Sequence, residues 1–518
     1  MCNKGRMGRE IVRGRWGKLC VFLMMVSPLV CVAAEKVHPL QAKLDAGENL
    51  SLRPGQVVTI SESLKFRNAG QRIETVGAKT AAEYARIVHA DGEQGTLIEA
   101  NGIAGAILSK LILDGNRQGF RKPDGVLTME PMLSFGGEGA VGQEIRNCIV
   151  ISGRCAGGWG AIHAQEGGDH IVIRDNVIFG AGADIRGNGR SPFEKSFGWG
   201  DGISTASRNT LVENNLIYDV TDDGVMVQGG PGTIVKGNVM VSISREMLGG
   251  VVLIDPFKYY ELDAAKKTYD YRGVVLEGNR VLGLGGRIHV GIPLGGPPWN
   301  GGFAGATLVG ARVINNQVSG GAMGYGFVVD GVDDFEISGN TCDATQSGLG
   351  DGFMGTLPDA AKAFQFNPAG IGTSRLQAEF EPMKKSLVGV LRAARSPKYT
   401  RNSLGYRDPP YPDEEVNAVV KMAFVEMLGR DPQDAEFRYW TRWLQETRSN
   451  ADTLRRNLMT HGQFLRRHGT IDPLDLHTWR NERWLKMILK TCSEVQEGGA
   501  DWPNAREWNE KLLKSLYE

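Results

Sequence analysis

Three aspartates carry the sharpest chemical signal in this chain of 518 residues: Asp201 in the phrase WGDGI, and the adjacent Asp222 and Asp223 in TDDGV. Two neighbouring carboxyl groups can divide glycosidic hydrolysis between them, one protonating the leaving oxygen and the other activating water. Close carboxylates also repel each other, which raises one pKa and suits that group to the acid role. A second set fits different chemistry. Arg287 and His289, with His163, could neutralise a sugar carboxylate and remove the proton beside it, as elimination or epimerisation requires. Groups suited to holding a sugar chain accompany both sets: His163, Gln165, Gln228, Asp255, Lys258, Tyr259 and Trp199. Lys258 and Tyr259 fall in DPFKYYELDAAKKTYDY, an insertion too long for a plain turn, of the kind that walls a groove. No Cys or His spacing marks a metal site, so no cofactor is expected; a divalent cation such as calcium would enter only with an elimination.

Residues this far apart can share a site only if the chain stacks them. With 70 Gly against 21 Pro, abundant Val and Ile and no collagen-like period, the composition reads as short strands joined by tight turns. One phrase recurs: IRNCI, IRDNVI, VENNLI, VKGNVM, LEGNRV, VINNQV and ISGNTC, with asparagines at 147, 176, 215, 238, 279, 316 and 340. Two residues beyond each Asn stands an apolar side chain: Ile149, Ile178, Ile217, Met240, Val281, Val318 and Cys342. The closest copies lie about 23 residues apart, one coil of a three-faced solenoid. At each bend the Asn is expected both to take left-handed dihedrals and to bond neighbouring backbone through its amide, so that stacked coils ladder their amides. Aligning GAIHAQ, DGISTA, DGVMVQ, GVVLID, GRIHVG and GFVVD puts Ile162, Ile203, Val225 and Ile288 inward, and lines His163, Ser204, Met226 and His289 along one flank with rungs about 4.8 Å apart.

Together with GTLIEANGI and LILDGNRQG, these phrases resemble the pectate-lyase-like superfamily of right-handed parallel β-helices over residues 50 to 350. That fold hosts lyases, hydrolases, epimerases, tailspikes and adhesins, so the resemblance implies architecture and a polysaccharide partner rather than one reaction. Asp201 followed by Asp222 and Asp223 resembles the aspartates of polygalacturonases. The chain departs from that pattern in having Trp199-Gly200 before the first Asp, no Gly-His-Gly, and only Arg287-Ile288-His289 where Arg-Ile-Lys would stand. The same Asp-Gly-apolar phrase also serves as a plain turn into a strand.

Residues 1–34 read as a signal peptide: a basic stretch from Lys4 to Lys18, the apolar run Leu19 to Val32, then small residues, giving a mature start at Glu35 and a secreted, periplasmic or cell-surface protein. Residues 35–355 read as the β-helix with an N-terminal cap, 356–410 as an irregular capping or linking segment, and 411–518 as an α-helical domain. In that last region Val416, Val419, Val420, Phe424 and Met427 recur at helical spacing, and LGRDPQDAEFRYW resembles a small helical domain of secreted and surface proteins. Four cysteines beyond the leader make no disulfide framework. With 59 basic and 59 acidic residues, no global field points to nucleic acid. The reading is a secreted right-handed parallel β-helix that cleaves or modifies a polysaccharide. Its rival is a non-catalytic carbohydrate-binding or surface protein held to an envelope partner by the helical domain.

Overall fold

Strands pair with partners two to four strands further along the chain, and always in parallel. The computed structural model describes residues 38–92, 94–120, 128–155, 159–182, 199–254, 268–299, 305–348, 361–384, 413–447, 449–497 and 502–518. The expected leader, and Asp255, Lys258 and Tyr259, lie outside them. Among the described residues the strands form sheets of 11, 10 and 11 members, the three faces of a parallel β-helix, with a three-stranded sheet beside them. The first sheet runs from Leu50–Leu52 to Arg375–Leu376, the second from Val57–Ile60 to Thr341–Cys342, and the third from Leu64–Lys65 to Glu381–Pro382. Inward side chains stack in register: Ile145, Ile173, Val212, Val235, Leu276, Val313 and Ile337 form one unbroken buried row.

The asparagine ladder is present, with a division of labour absent from the sequence reading. Asn176, Asn215, Asn238, Asn279, Asn316 and Asn340 donate amide to amide at 2.9, 2.9, 3.0, 2.9 and 3.0 Å, and Gln377 accepts from the last at 3.1 Å. The left-handed residue, however, is the one before each: Asp175, Asn214, Gly237, Gly278, Asn315 and Gly339. Separating the two roles lets the ladder amide point into the stack, while a neighbour that tolerates positive φ makes the bend. In the first copy Asn147 is itself the left-handed residue, and Cys148 takes the ladder position, donating its N–H to Asn176 Oδ1 at 3.0 Å.

Helix α1 (Pro39–Asp45) closes the N-terminal end, with Leu44 in the core. The solenoid continues past residue 355: Phe364–Phe366 and Arg375–Leu376 extend the stack, Glu381–Pro382 pairs on Phe364–Phe366 to begin another coil, and Phe364 stacks on Phe327 and meets Phe380 edge-on. A short helix α2 (Gly296–Trp299) interrupts the coils. Beyond them come α3 (Asp413–Leu428), α4 (Asp434–Thr447), α5 (Ala451–Leu458), α6 (Gly462–His468), α7 (Leu476–Glu497) and α8 (Ala505–Ser515). The first four of these share a core of Val416, Val420, Phe424, Leu444, Leu454 and Phe464.

The outer face of the second sheet explains why its strands read as unbroken apolar runs (IVI, VIF, LIY) rather than alternating. Val177, Phe179, Leu216, Tyr218, Val239 and Val241 are buried there against Trp484, Ile488, Trp508 and Leu512 of α7 and α8. A buried ionic network fastens the same junction. Glu426 accepts from Arg455 and Arg480 at 2.8 and 2.5 Å, and Arg480 reaches Asp219 of the solenoid at 3.1 Å. The helical domain therefore spends its apolar face on the β-helix. No described helix is long and apolar enough to cross a membrane.

Candidate functional site

The aspartates sit where the second sheet turns into the third, and the glycines after Asp201 and Asp223 are needed for that turn to close. A Cβ on Gly224 would lie 2.3 Å from Met240 Cγ, and one on Gly202 would lie 2.6 Å from Ile217 Cγ2, both inward side chains of the second sheet. Because Gly224 faces the interior, Asp223 beside it in the strand Asp223–Val227 faces the other way. Ile203 pairs with Val225, which sets Asp201 opposite Asp223 on the adjacent coil. The Asp223 N–H donates to Asp201 Oδ1 at 3.1 Å, and the N–H groups of Asp222 and Thr221 donate to Gly200 O at 3.2 and 3.3 Å. Each of the three carboxylates brings an oxygen within 4.8 Å of the other two. Asp201 and Asp223 are 0 % exposed and Asp222 is 1 % exposed. Oxygen ligands in this arrangement suit a hard divalent cation; carboxyl groups this close are nearer the spacing of an acid paired with a nucleophile than that of a pair with water held between.

The next coils extend the edge. Leu248 N–H donates to Asp222 O at 2.9 Å, and the pairing of Met247 with Ile288 puts Glu246 opposite Arg287 and Leu248 opposite His289. Asp201, then Asp222 and Asp223, then Glu246, then Arg287 and His289 thus occupy four successive coils at one corner, about 4.8 Å per step. Of the five residues expected to be catalytic, Asp201, Asp222 and Asp223 meet, whereas Arg287 and His289 lie two coils beyond Asp222, about 10 Å along the same edge. His289 Nε2 hydrogen-bonds Glu246, and both are buried. Arg287 is no free cation: its Nε lies 2.8 and 2.7 Å from the two carboxylate oxygens of Glu415 in α3, and Glu415 also accepts from Ser347 Oγ.

The expected sugar-holding residues separate. His163 pairs with Ser204 and Ser204 with Met226, as the alignment required, and the rung then continues to Val252. His289 is not on that rung. The strands Met247–Leu253 and Ile288–Leu294 carry their pairing back through the corner, so Gly250 stands level with Gly291, and aligning GVVLID with GRIHVG slips the register. His163 Nδ1 lies 2.9 Å from Ser204 Oγ, and the Trp159 ring meets the imidazole edge-on at 4.7 Å. Burial drives the His163 pKa down to about 4, so the ring is neutral near pH 7 and its Nδ1 can accept the serine proton. Gln165 Nε2 donates to Ser134 Oγ at 2.9 Å, Gln228 is buried beside Met226 Sδ, and Trp199 is half-buried just ahead of Asp201. Sequence reasoning missed Glu246 and Glu415. Glu246, in SREMLGG, lies outside the aligned strand segments, and nothing in the α3 sequence marks Glu415.

The fold and corner define a parallel β-helix protein with a buried acidic trio on one edge. No known family model and no curated protein matches the chain. Among solved structures it is similar to the A-module of the Azotobacter vinelandii mannuronan C-5 epimerase AlgE4, at 14 % identity over 67 % of this chain and 93 % of that one, with a TM-score of 0.35. It is also similar to the catalytic domain of a GH87 alpha-1,3-glucanase (11 % identity, 71 % and 70 % covered, TM-score 0.38) and to the Dettilon tailspike protein (14 %, 65 % and 63 %, TM-score 0.36). The fold assignment rests on the sheets described above.

Proposed function

We propose that the protein is a secreted glycoside hydrolase that cleaves a polysaccharide at the Asp201, Asp222 and Asp223 corner. The observation that carries this reading is the in-register stacking of Asp201 on Asp223, with Asp222 close enough for all three carboxylates to meet. In the proposed step one carboxylic acid protonates the glycosidic oxygen as a second carboxylate displaces it at the anomeric carbon; the first, now a carboxylate, takes a proton from the water that hydrolyses the glycosyl ester, which frees the second carboxylate and leaves two hydroxyl ends. His289, held by Glu246, and Arg287, held by Glu415, are buried along the same edge. Hydrolysis is favoured over elimination because the arginine that would neutralise a uronate carboxylate already faces a carboxylate of its own. Export would follow removal of residues 1–34, as the leader's composition supports.

Asp201→Asn and Asp223→Asn keep shape and remove the charge. Each should abolish release of reducing ends from a glycan that the wild type degrades, with an unchanged circular dichroism spectrum. Full activity in both variants rejects the reading. Binding without turnover by the wild type transfers support to the carbohydrate-binding alternative.

A further inference from the structure

The helical domain grips the acidic corner at two separate points. Asp222 and Asp223 stand at the end of the turn that begins at Asp219, a residue in left-handed conformation. The Asp219 carboxylate accepts from Ile243 N and Ser244 N at 2.7 and 3.0 Å and from Ser244 Oγ at 2.7 Å, which ties its turn to that of the next coil. From outside, Arg480 of α7 donates to Asp219 Oδ2 at 3.1 Å. One residue earlier, Tyr218 donates its hydroxyl to Asn509 of α8 at 2.7 Å and packs on Trp484. The coil that carries two of the three aspartates is thus fastened to α7 and α8 just before it delivers them.

The second grip is on the cationic side. Glycines let α3 approach this corner closely: a Cβ on Gly285 would lie 2.5 Å from Met422 Cβ, and one on Gly321 would lie 2.9 Å from Ala418 Cβ. The approach buries Glu415 completely, and its carboxylate holds Arg287, two residues before His289. A buried carboxylate facing one guanidinium and one serine hydroxyl fixes the direction of that guanidinium.

We propose that the helical domain sets the geometry of the acidic corner, with Arg480 acting through Asp219 and Glu415 acting through Arg287 as positioning residues. The proposal rests on the hydrolase reading given above. It makes the C-terminal helices part of the site and gives them a task other than attachment.

The test compares Glu415→Gln, Glu415→Asp and Leu454→Ala, the last a substitution inside the helical domain's own core, in the full-length mature protein. Initial rates are measured on the glycan turned over by the wild type, well below each variant's unfolding temperature. Glu415→Gln should lower kcat/KM at least tenfold, mostly through kcat, and shift the pH profile, with part of the rate restored by Glu415→Asp. Leu454→Ala should lower the unfolding temperature and leave kcat/KM within about threefold of wild type. A normal rate and profile for Glu415→Gln, or a loss matched by Leu454→Ala, overturns the positioning role while an inactive Asp223→Asn keeps the hydrolase reading intact. Turnover by Asp223→Asn, or no turnover of any glycan by the wild type, overturns the reading on which the proposal rests, and the proposal with it.

Discussion

Replacing Glu426 by Gln tests the seam between the two domains quantitatively. Glu426, on α3, is buried and accepts from Arg455 Nε at 2.8 Å and Arg480 Nε at 2.5 Å. Burial by itself would push its carboxyl up, but the adjacent guanidinium groups of Arg480 and Arg455 prevail and hold it at about 2, against an ordinary 4.5. At about 1.4 kcal/mol per tenfold change in proton affinity, that displacement is worth about 3 kcal/mol of stability. Removing one partner from a buried ion pair costs roughly 3–5 kcal/mol by an independent route, which agrees. The sign follows from the lowered pKa: the contribution is complete above the unfolded value and fades as pH falls from about 5 toward 2. Urea unfolding followed by tryptophan fluorescence should therefore show Glu426→Gln less stable by about 3 kcal/mol near neutral pH, with the gap to wild type shrinking steadily in acid. Equal stability at neutral pH, or a gap that persists undiminished in acid, would refute the reasoning.

Three further outcomes follow from the geometry. Asn238→Ala leaves the Asn215 N–H and amide without their acceptor at 2.9 Å and removes the donors to Val212 O and Lys236 O; it should cost about 2–4 kcal/mol in urea unfolding, whereas a change near zero would mean that the ladder adds nothing. Gly224→Ala forces a Cβ to 2.3 Å from Met240 Cγ; a loss of about 1–3 kcal/mol is expected, and thermal melting at the wild-type temperature would contradict it. A mature chain ending before α3 would bare Val177, Phe179, Leu216, Tyr218, Val239 and Val241. At about 1.5–3 kcal/mol per side chain this fragment should aggregate on expression, and a soluble, protease-resistant monomer would instead favour a detachable anchor.

The solenoid was legible because its signals are local and repeated. Seven successive coils carry an Asn followed two residues later by an apolar side chain, and both lie within one short phrase. The ladder's fine structure was harder, since the sequence does not say which of two adjacent residues makes the bend; Asp175, Gly237 and Gly278 do so beside Asn176, Asn238 and Asn279. The Asp201 and Asp223 pairing was also readable, because the glycine after each aspartate fixes its place at a corner. Register beyond it was not, since strand length decides register, and the long strands at Met247 and Ile288 moved His289 to a different rung. Least visible was the partner of Arg287. Glu415 lies 128 positions away on an unremarkable helix, and only packing of that helix over Gly285 and Gly321 brings it to the site.

The chemistry assigned to the acidic corner is tested most directly by digesting a glycan panel in water enriched with heavy oxygen and weighing the products. Hydrolysis predicts one solvent oxygen in each new reducing end, saturated sugar rings, and loss of both signals in Asp223→Asn. Products that carry a new double bond and no solvent oxygen, or label that persists in Asp223→Asn, would contradict the account.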